Sequence, residues 1–465
     1  MFRIGNHFVS KSVSLLFCAE FCILLGAAYS GAVIRFDSAY LFSAKAQNYS
    51  MSALAFAILM SFSMTAMGLY QNGGRDGIRN TFLRLMPACL LGFGFMTLLF
   101  YLVPDLYFGR GILGLVFVFT IVVILLVRTI YFETSKSKYM RSRIMFFGAG
   151  AIAKECSDLA KVAGFEHKYS IVGYVPAPGG ATLIDPQALI ALVDNSLTST
   201  AQKHRVAEII VSVENRRGGA FPIRELLDCK LKGIKVTDAT AFFEREACQI
   251  RVDSLQPSWL VFGTGFDQSL VRLFGKRTFD IVMSTLLYMV AFPIMVITAL
   301  LIVLEDRGPV FYQQERVGKN GKSFMVLKFR SMRNDAEKAG KPQWASSNDP
   351  RTTMVGRFIR KCRIDEIPQI INVMNGDMSF VGPRPERPFF VDQLVEQVPF
   401  YNIRHSIKPG ITGMAQVRYA YGASIDDSIQ KLQYDLYYVK NNSLFLDALI
   451  LIDTLQVVLF GKGAR

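Results

Sequence analysis

The chain has 465 residues, 51% hydrophobic and 19% charged, with 52 Lys and Arg against 37 Asp and Glu. That length suggests about three structural units, and the apolar content excludes a disordered chain, collagen, a small disulfide scaffold and an ordinary soluble enzyme. The formal charge of +15 fits contact with anionic lipid, phosphates or nucleic acid without choosing among them. Seven cysteines with no Cys-x-x-Cys pair, and only four histidines, point to neither a disulfide framework nor a zinc site.

Four apolar stretches, near 13–34, 51–70, 82–103 and 111–131, each have the length a helix needs to cross about 30 Å of hydrocarbon. The first lacks a small-residue cleavage site and is followed by three more, so it reads as a span rather than a removable leader. Basic residues set the orientation. Arg3 and Lys11 precede the first stretch, Arg75 and Arg79 separate the second from the third, and Arg128, Lys136, Lys138, Arg141 and Arg143 cluster at the end of the fourth. The opposite loops hold only Arg35, Lys45 and Arg110. The positive-inside rule then puts the N-terminus and everything beyond residue 133 in the cytoplasm. Glu20, within the first stretch, is expected to face the bundle interior or water.

Residues 143–250 alternate between strand and helix patterns, with strands expected at 143–148, 169–175, 206–213 and 233–237. This is a doubly wound α/β pattern. Gly148-Ala-Gly150 after the first strand permits a pyrophosphate to approach a helix N-terminus. The second strand ends Tyr174-Val175-Pro176, without the acid that would hold a ribose. A Rossmann-like module that is structural, regulatory or specific for another nucleotide is therefore preferred to one that binds NAD.

A fifth apolar segment, Ile281 to Leu304, comes after Lys276-Arg277-x-x-Asp280 and carries Pro293 at its centre, where a helix loses a hydrogen bond. Both flanks are read as cytoplasmic, so the expectation is a re-entrant helix–break–helix hairpin deepest at Pro293, with Arg277 pairing Asp280 one turn on. The alternative is a fifth true span that exports the C-terminal domain.

Beyond it, two strands joined through Asn320-Gly321 form an expected hairpin. Gly321-Lys322-Ser323 imitates the end of a P-loop, but Arg316 stands where the first glycine belongs, so no ATPase is inferred. Strand alternation puts Lys328 and Arg330 on one face, where they can point together at a phosphate; a solvated basic edge is the alternative. The stretch Thr353 to Gln369 reads as a helix, stopping before Pro368, with Arg360 and Arg363 on a shared face. Asp365 and Glu366 are adjacent, cannot project the same way, and are suited to different tasks. A divalent cation would relieve their repulsion and hold a diphosphate. Gly382-Pro383-Arg384-Pro385-Glu386-Arg387-Pro388 locks arginines between prolines, at low entropic cost for clasping a phosphate. Lys408-Pro409-Gly410 adds a further cation, and together these clusters describe a polyanion site. Nucleic acid is not expected, because aromatic interleaving is absent and the domain is tied to a membrane.

The motifs Lys276-Arg277-x-x-Asp280, Glu315-Arg316-Val-Gly318-Lys-x-Gly321, Lys328-Phe-Arg330-Ser-Met332, Asp365-Glu366-x-Pro368-Gln369 and Gly382-Pro-Arg384-Pro-Glu386 together resemble the bacterial sugar transferase family, the monotopic polyprenyl-phosphate sugar-1-phosphate transferases. The resemblance covers about residues 270–465, and the whole layout looks like the long-chain branch that starts exopolysaccharide or O-antigen repeat units. It implies that Asp365 attacks the sugar-bearing phosphorus of a UDP-sugar, releases UMP and carries the sugar phosphate until undecaprenyl phosphate displaces it. Glu366 would bind Mg²⁺, Arg384 would hold a nucleotide phosphate, and Lys328, Arg330, Arg360 and Arg387 would complete the anion site. Phe292 precedes Pro293 where this family often has Ser-Pro. The C-terminal stretch from Tyr434 to Phe460 is read as membrane-surface helices, with a buried core helix as the alternative.

The expected architecture is thus a mixed membrane protein: four spans over 1–133, a Rossmann-like α/β module over 143–250, a re-entrant hairpin over 270–305, and a small α+β catalytic domain over 306–465. It would sit in the bacterial inner membrane, in contact with its lipid, with the catalytic domain on the cytoplasmic face and a homodimer compatible with the long-chain branch. The rival readings are an NAD-dependent enzyme that modifies nucleotide sugars and a non-catalytic scaffold for polysaccharide assembly.

Overall fold

The computed structural model describes residues 2–4, 7–36, 49–70, 78–107, 109–135, 141–161, 168–213, 221–252, 265–266, 268–333, 351–419, 422 and 424–460. Lys45, Arg75, Lys136 and Lys138, which entered the orientation count, lie outside these residues. The chain divides into two compact units, Met1–Arg3 with Phe8–Ala247, and Ile4–His7 with Cys248–Arg465.

In the first unit, apolar helices Lys11–Phe36, Tyr49–Ala66, Ile78–Leu102 and Arg110–Ser135 pack around one core, to which Leu24, Ala53, Met60, Leu85, Met96 and Val116 contribute. All four are long and apolar enough to cross a membrane. Leu15, Leu83, Leu90 and Val118 remain exposed, as expected of surfaces that face hydrocarbon rather than water. Glu20 is fully buried and accepts from Arg128 Nε at 2.7 Å and Nη2 at 2.9 Å and from the Tyr70 hydroxyl at 2.6 Å. A buried carboxylate persists in such a place because it is paired.

The same unit holds a parallel sheet in the order Tyr169–Val175, Ser142–Phe147, Glu208–Val211, Lys235–Asp238. Alternation sends Ile144 and Phe146 to one face, against helices Ala151–Lys161 and Ala239–Ala247, and Met145 and Phe147 to the other, against Leu197–Lys203 and Ile223–Leu231. This is the doubly wound arrangement. Gly148 turns the first strand toward its helix at φ +112°, and a Cβ there would lie 2.5 Å from the Ser212 carbonyl oxygen, so only glycine fits.

The second unit opens with the helix Leu270–Asp306, 37 residues long. The break expected at Pro293 is absent: the helix continues through the proline. Its buried positions, Asp280, Ser284, Ala291, Met295, Thr298 and Ile302, recur at three-, four- and seven-residue spacing, so one stripe packs on the unit while Phe274, Val290 and Leu304 stay exposed. The pairing of Arg277 with Asp280 is also corrected. Arg277 instead donates to the carbonyls of Val373 and Met374, both at 2.6 Å, while Asp280 accepts from Ser379 Oγ at 2.9 Å and Phe380 N at 3.2 Å. Polar groups at a helix end and a strand edge, brought close by the fold, outcompete an exposed pair one turn apart.

Strands Phe311–Val317 and Ser323–Phe329 pair antiparallel, and Asn320 and Gly321 take positive φ in the turn between them. The helix read over Thr353 to Gln369 is two helices, Met354–Lys361 and Gln369–Asn375, separated by a single 3₁₀ turn at Ile364–Glu366. Arg363 enters the left-handed region at φ 58°, which ends the first helix well before Pro368 and takes Arg363 off any helical face shared with Arg360. Strand Ser379–Val381 pairs in parallel with Gly410–Thr412. Of the C-terminal helices, Ile425–Asn441 buries Leu432, Leu436, Tyr437 and Tyr438, and Leu444–Phe460 adds Leu446 and Ile450 to the same core. The membrane-surface reading is therefore corrected for Ile425–Asn441: its apolar side is spent on the protein's interior.

Candidate active site

The Ile364–Glu366 turn carries the acidic pair between two short helices, and the two carboxylates meet different surroundings. Glu366 Oε1 accepts from Lys328 Nζ at 2.9 Å and from Arg384 Nη2 at 2.8 Å, and Arg363 stands 4.0 Å from Oε2. Burial alone would raise the Glu366 carboxyl, but Arg384 and Lys328 reverse that and hold it well below the usual range. Asp365 is pushed up to about 6, by burial first and by the neighbouring Glu366 second, against the pull of Lys328, Arg363 and Arg360. Its Oδ1 is buried and makes no hydrogen bond among the described residues. One acid is thus clamped and ionised, and the other is left with an open oxygen.

Arg384 reaches the pair because its loop is anchored on both sides. A Cβ on Gly382 would lie 2.5 Å from the Lys408 carbonyl oxygen, so glycine lets the loop lie against the facing strand, where Gly382 N donates to Thr412 O and Gly410 N to Pro383 O, both at 2.9 Å. Below the loop, buried Arg404 donates to the Arg384 carbonyl at 2.9 Å and pairs with Asp435 at 2.7 Å and the Tyr401 hydroxyl at 2.6 Å. Nothing local in the sequence marks Arg404 for this role. Arg316 belongs to the same cationic cluster. It donates to the Pro385 carbonyl at 3.0 Å, and burial, together with the like charges of Arg384 and Arg387, lowers its guanidinium to about 10. It lies within the Glu315–Gly321 motif, but hairpin alternation alone does not single it out.

Not every expected cation arrives. Lys328 points at Glu366, but Arg330 pairs with Asp306 at the end of the long helix and packs over Gly308. Alternation fails as a guide because, although the Arg330 amide still donates to Val310 O at 2.9 Å, the guanidinium is captured by Asp306, an acid that strand alternation does not register. Lys408 is also elsewhere, beside Gly376 and Arg277 at the far end of the Gln369–Asn375 helix. Arg360 lies half-buried at the end of its helix, close enough for its charge to act on Asp365. Arg387 stands at the N-cap position of the helix Pro388–Gln397, with no side-chain cap bond. Lys276 is bound to Asp447 at 2.8 Å, the Val381 carbonyl at 3.0 Å and the Tyr438 hydroxyl at 3.2 Å, which fastens the long helix to the core.

The donor set can be compared with the needs of Mg²⁺. Among the described residues no group of three or more His, Cys, Asp or Glu gathers, so an all-protein cage is not formed. Mg²⁺ takes one or two carboxylates and leaves its other positions to water and substrate phosphates, and the open Asp365 oxygen beside Glu366 fits that mode. In the α/β module, Leu183 N donates to the Ala149 carbonyl at 2.8 Å and Ala181 O lies 3.4 Å from where a Gly150 Cβ would stand. The chain itself thus crosses the glycine turn considered for a dinucleotide.

A carboxylate pair ringed by fixed cations, in a small α+β domain fastened to a long apolar helix, defines the class as a membrane protein with a concentrated ionic cluster. The bacterial sugar transferase family profile matches residues 271–461. The chain is 43% identical over 242 residues to the UDP-N-acetylgalactosamine-undecaprenyl-phosphate N-acetylgalactosaminephosphotransferase of Aeromonas hydrophila, covering 52% of this chain and 56% of that protein. It is 40% identical over 193 residues to the UDP-glucose:undecaprenyl-phosphate glucose-1-phosphate transferase of Escherichia coli strain K12, covering 41% of each. It is also 41% identical over 194 residues to the exopolysaccharide production protein PSS of Rhizobium leguminosarum bv. phaseoli, covering 40% of this chain and 97% of that protein. The chain belongs to the bacterial sugar transferase family. It spans about half the length of the Aeromonas relative and less of the E. coli one.

Proposed function

We propose that this protein transfers a sugar 1-phosphate from a UDP-sugar to undecaprenyl phosphate, through a covalent intermediate on Asp365. The observation that carries the reading is the asymmetry of the pair: Asp365 keeps a buried, unbonded oxygen while Glu366 is clasped by Lys328 and Arg384. In the first step an Asp365 oxygen attacks the sugar-bearing phosphorus, and the bond from that phosphorus to the oxygen shared with the nucleoside phosphate breaks, releasing UMP. In the second, a phosphate oxygen of the lipid attacks the same phosphorus and the Asp365 carboxylate leaves, giving undecaprenyl diphosphate sugar. One diphosphate replaces another, so no ATP is consumed. Phosphoryl transfer depends on placement and charge neutralisation; Arg384, Arg316 and Arg387 bind and orient the phosphates, and Lys328 holds Glu366. A Mg²⁺ held by Glu366 would supply further neutralisation of the diphosphate.

The membrane arrangement belongs to the same proposal. Four helices span the inner membrane, and the fifth apolar helix keeps both its ends on the cytoplasmic side without crossing. Supporting this, both its ends are tied to the same compact unit: Lys276, Arg277 and Asp280 at one end, Glu305 and Asp306 at the other. A crossing would separate those two sets of partners by a bilayer. Relatives carry names with N-acetylgalactosamine and glucose, so the sugar is left to experiment. Purified protein in nanodiscs, given undecaprenyl phosphate and a panel of UDP-sugars, is expected to release UMP from at least one. Mass spectrometry without acceptor is expected to find sugar phosphate on Asp365. No UMP from any donor overturns the reaction, and an unmodified Asp365 under trapping conditions overturns the route.

A further inference from the structure

The Asp365–Glu366 turn hangs between two short helices, and the apolar helix Leu270–Asp306 holds the outer end of each. At the start of Met354–Lys361, Glu305 accepts from Met354 N at 2.6 Å and, through its two oxygens, from Val355 N at 3.3 and 3.2 Å, while Thr353 Oγ1 accepts from Gly356 N at 2.9 Å. Three amides that a helix cannot satisfy itself are thereby closed. At the end of Gln369–Asn375, Arg277 donates to the carbonyls of Val373 and Met374. The signs match the helix dipoles, an acid at the positive N-terminus and a base at the negative C-terminus. The two caps stand 28 residues apart on one helix (Arg277 and Glu305), so a single continuous helix reaches both flanks of the reacting turn.

We infer that Glu305 and Arg277 are positioning residues: by capping the helices on either side of Asp365–Glu366, the membrane helix sets the geometry of the reacting pair. This rests on the transferase reading. Neither residue touches the pair, so both act through the helices they cap, and bilayer insertion of the apolar helix is coupled to a competent site. A chain in which this helix served only as an anchor would tolerate loss of either cap.

The test uses the full chain in nanodiscs of phosphatidylethanolamine and phosphatidylglycerol. Glu305→Ala and Arg277→Met are each expected to lower kcat by about 5- to 10-fold, the scale of a lost helix cap, while KM for the UDP-sugar changes less than about twofold because Arg384 is untouched. Glu305→Gln, which keeps an acceptor oxygen without charge, and Arg277→Lys are expected to recover part of the loss. Deuterium exchange at the amides of Met354 and Val355 is expected to rise in Glu305→Ala, and this readout needs no turnover. If the wild type releases no UMP the reaction fails, and exchange still judges the caps. Wild-type kcat in Glu305→Ala, or exchange at Met354 and Val355 that does not change, overturns the inference. Should the Glu305→Ala variant fold poorly, kcat in Arg277→Met decides it, a wild-type value overturning the inference.

Discussion

Two buried ionic clusters in this protein are built from similar groups and finished differently. At the N-terminal ends of the sheet strands, Arg245 binds Glu208 at 2.7 and 3.1 Å and Glu246 at 2.7 Å, Tyr169 donates to Glu246 at 2.5 Å, and Lys168 and Thr237 pair with Glu246 and Glu208. Both acids are held below their ordinary range: burial opposes, and Arg245 acting on Glu208, with Lys168 and Arg245 acting on Glu246, prevails. The Asp365–Glu366 cluster satisfies one acid in the same way and leaves the other open, with its proton affinity raised. A closed network contributes structure. An acid kept short of partners, close to cations that would stabilise a phosphate, is where chemistry is expected.

The contrast makes predictions of decreasing size. Asp365→Asn is expected to reduce UMP release by about 10³-fold or more, as when a nucleophile is removed, and to eliminate the adduct; turnover near the wild-type rate would erase the distinction between the clusters. In the sheet cluster, Arg245→Met removes the guanidinium shared by two buried carboxylates, leaving Glu246 to Lys168 and Tyr169 and Glu208 to Lys235 and Thr237, and is expected to cost about 3 kcal/mol, read as faster hydrogen exchange across Glu208–Val211. Glu366→Gln is expected to lower turnover by about 10²-fold, because Lys328 and Arg384 lose the charge that orders them; an unchanged rate and Mg²⁺ titration would remove its role.

The smallest effects concern pH. Folded Asp365 holds its proton to about 6 against an ordinary value of 3.8, so between those values the folded chain binds more protons than the unfolded one. The burden of the buried carboxylate is therefore absent below about pH 4 and complete above about pH 6 to 7. After discounting for partial exposure, Asp365→Asn is expected to gain about 1 to 2 kcal/mol of stability at pH 8 and almost none at pH 4, measured by unfolding at both. A nucleophilic carboxylate also predicts that kcat/KM falls about tenfold per unit as pH drops below about 6.

Much of this was legible along the chain. Apolar runs of bilayer length, the strands of the α/β module and the Asn320-Gly321 turn came from hydropathy, alternation and turn chemistry, which act between near neighbours. Failures came where a local rule met a distant competitor. Strand alternation puts Arg330 on one face with Lys328, but Asp306 captures it, and helical spacing makes Arg277 a one-turn partner of Asp280, but it caps a helix 96 residues away. The continuous helix through Pro293 shows that a proline in an apolar helix need not end it when one stripe is packed against protein.

Residue types and their spacing were enough to announce a membrane protein with cations gathered near an acidic pair and to nominate Asp365, Glu366, Lys328 and Arg384. Which acid stays open, that Arg404 braces Arg384 from below, and that one apolar helix caps both flanks of the Asp365–Glu366 turn could be known only once the chain had closed. Each of those facts depends on groups brought together from far apart in sequence, and burial and pairing, unlike hydropathy or turn propensity, have no value until the fold supplies the neighbours.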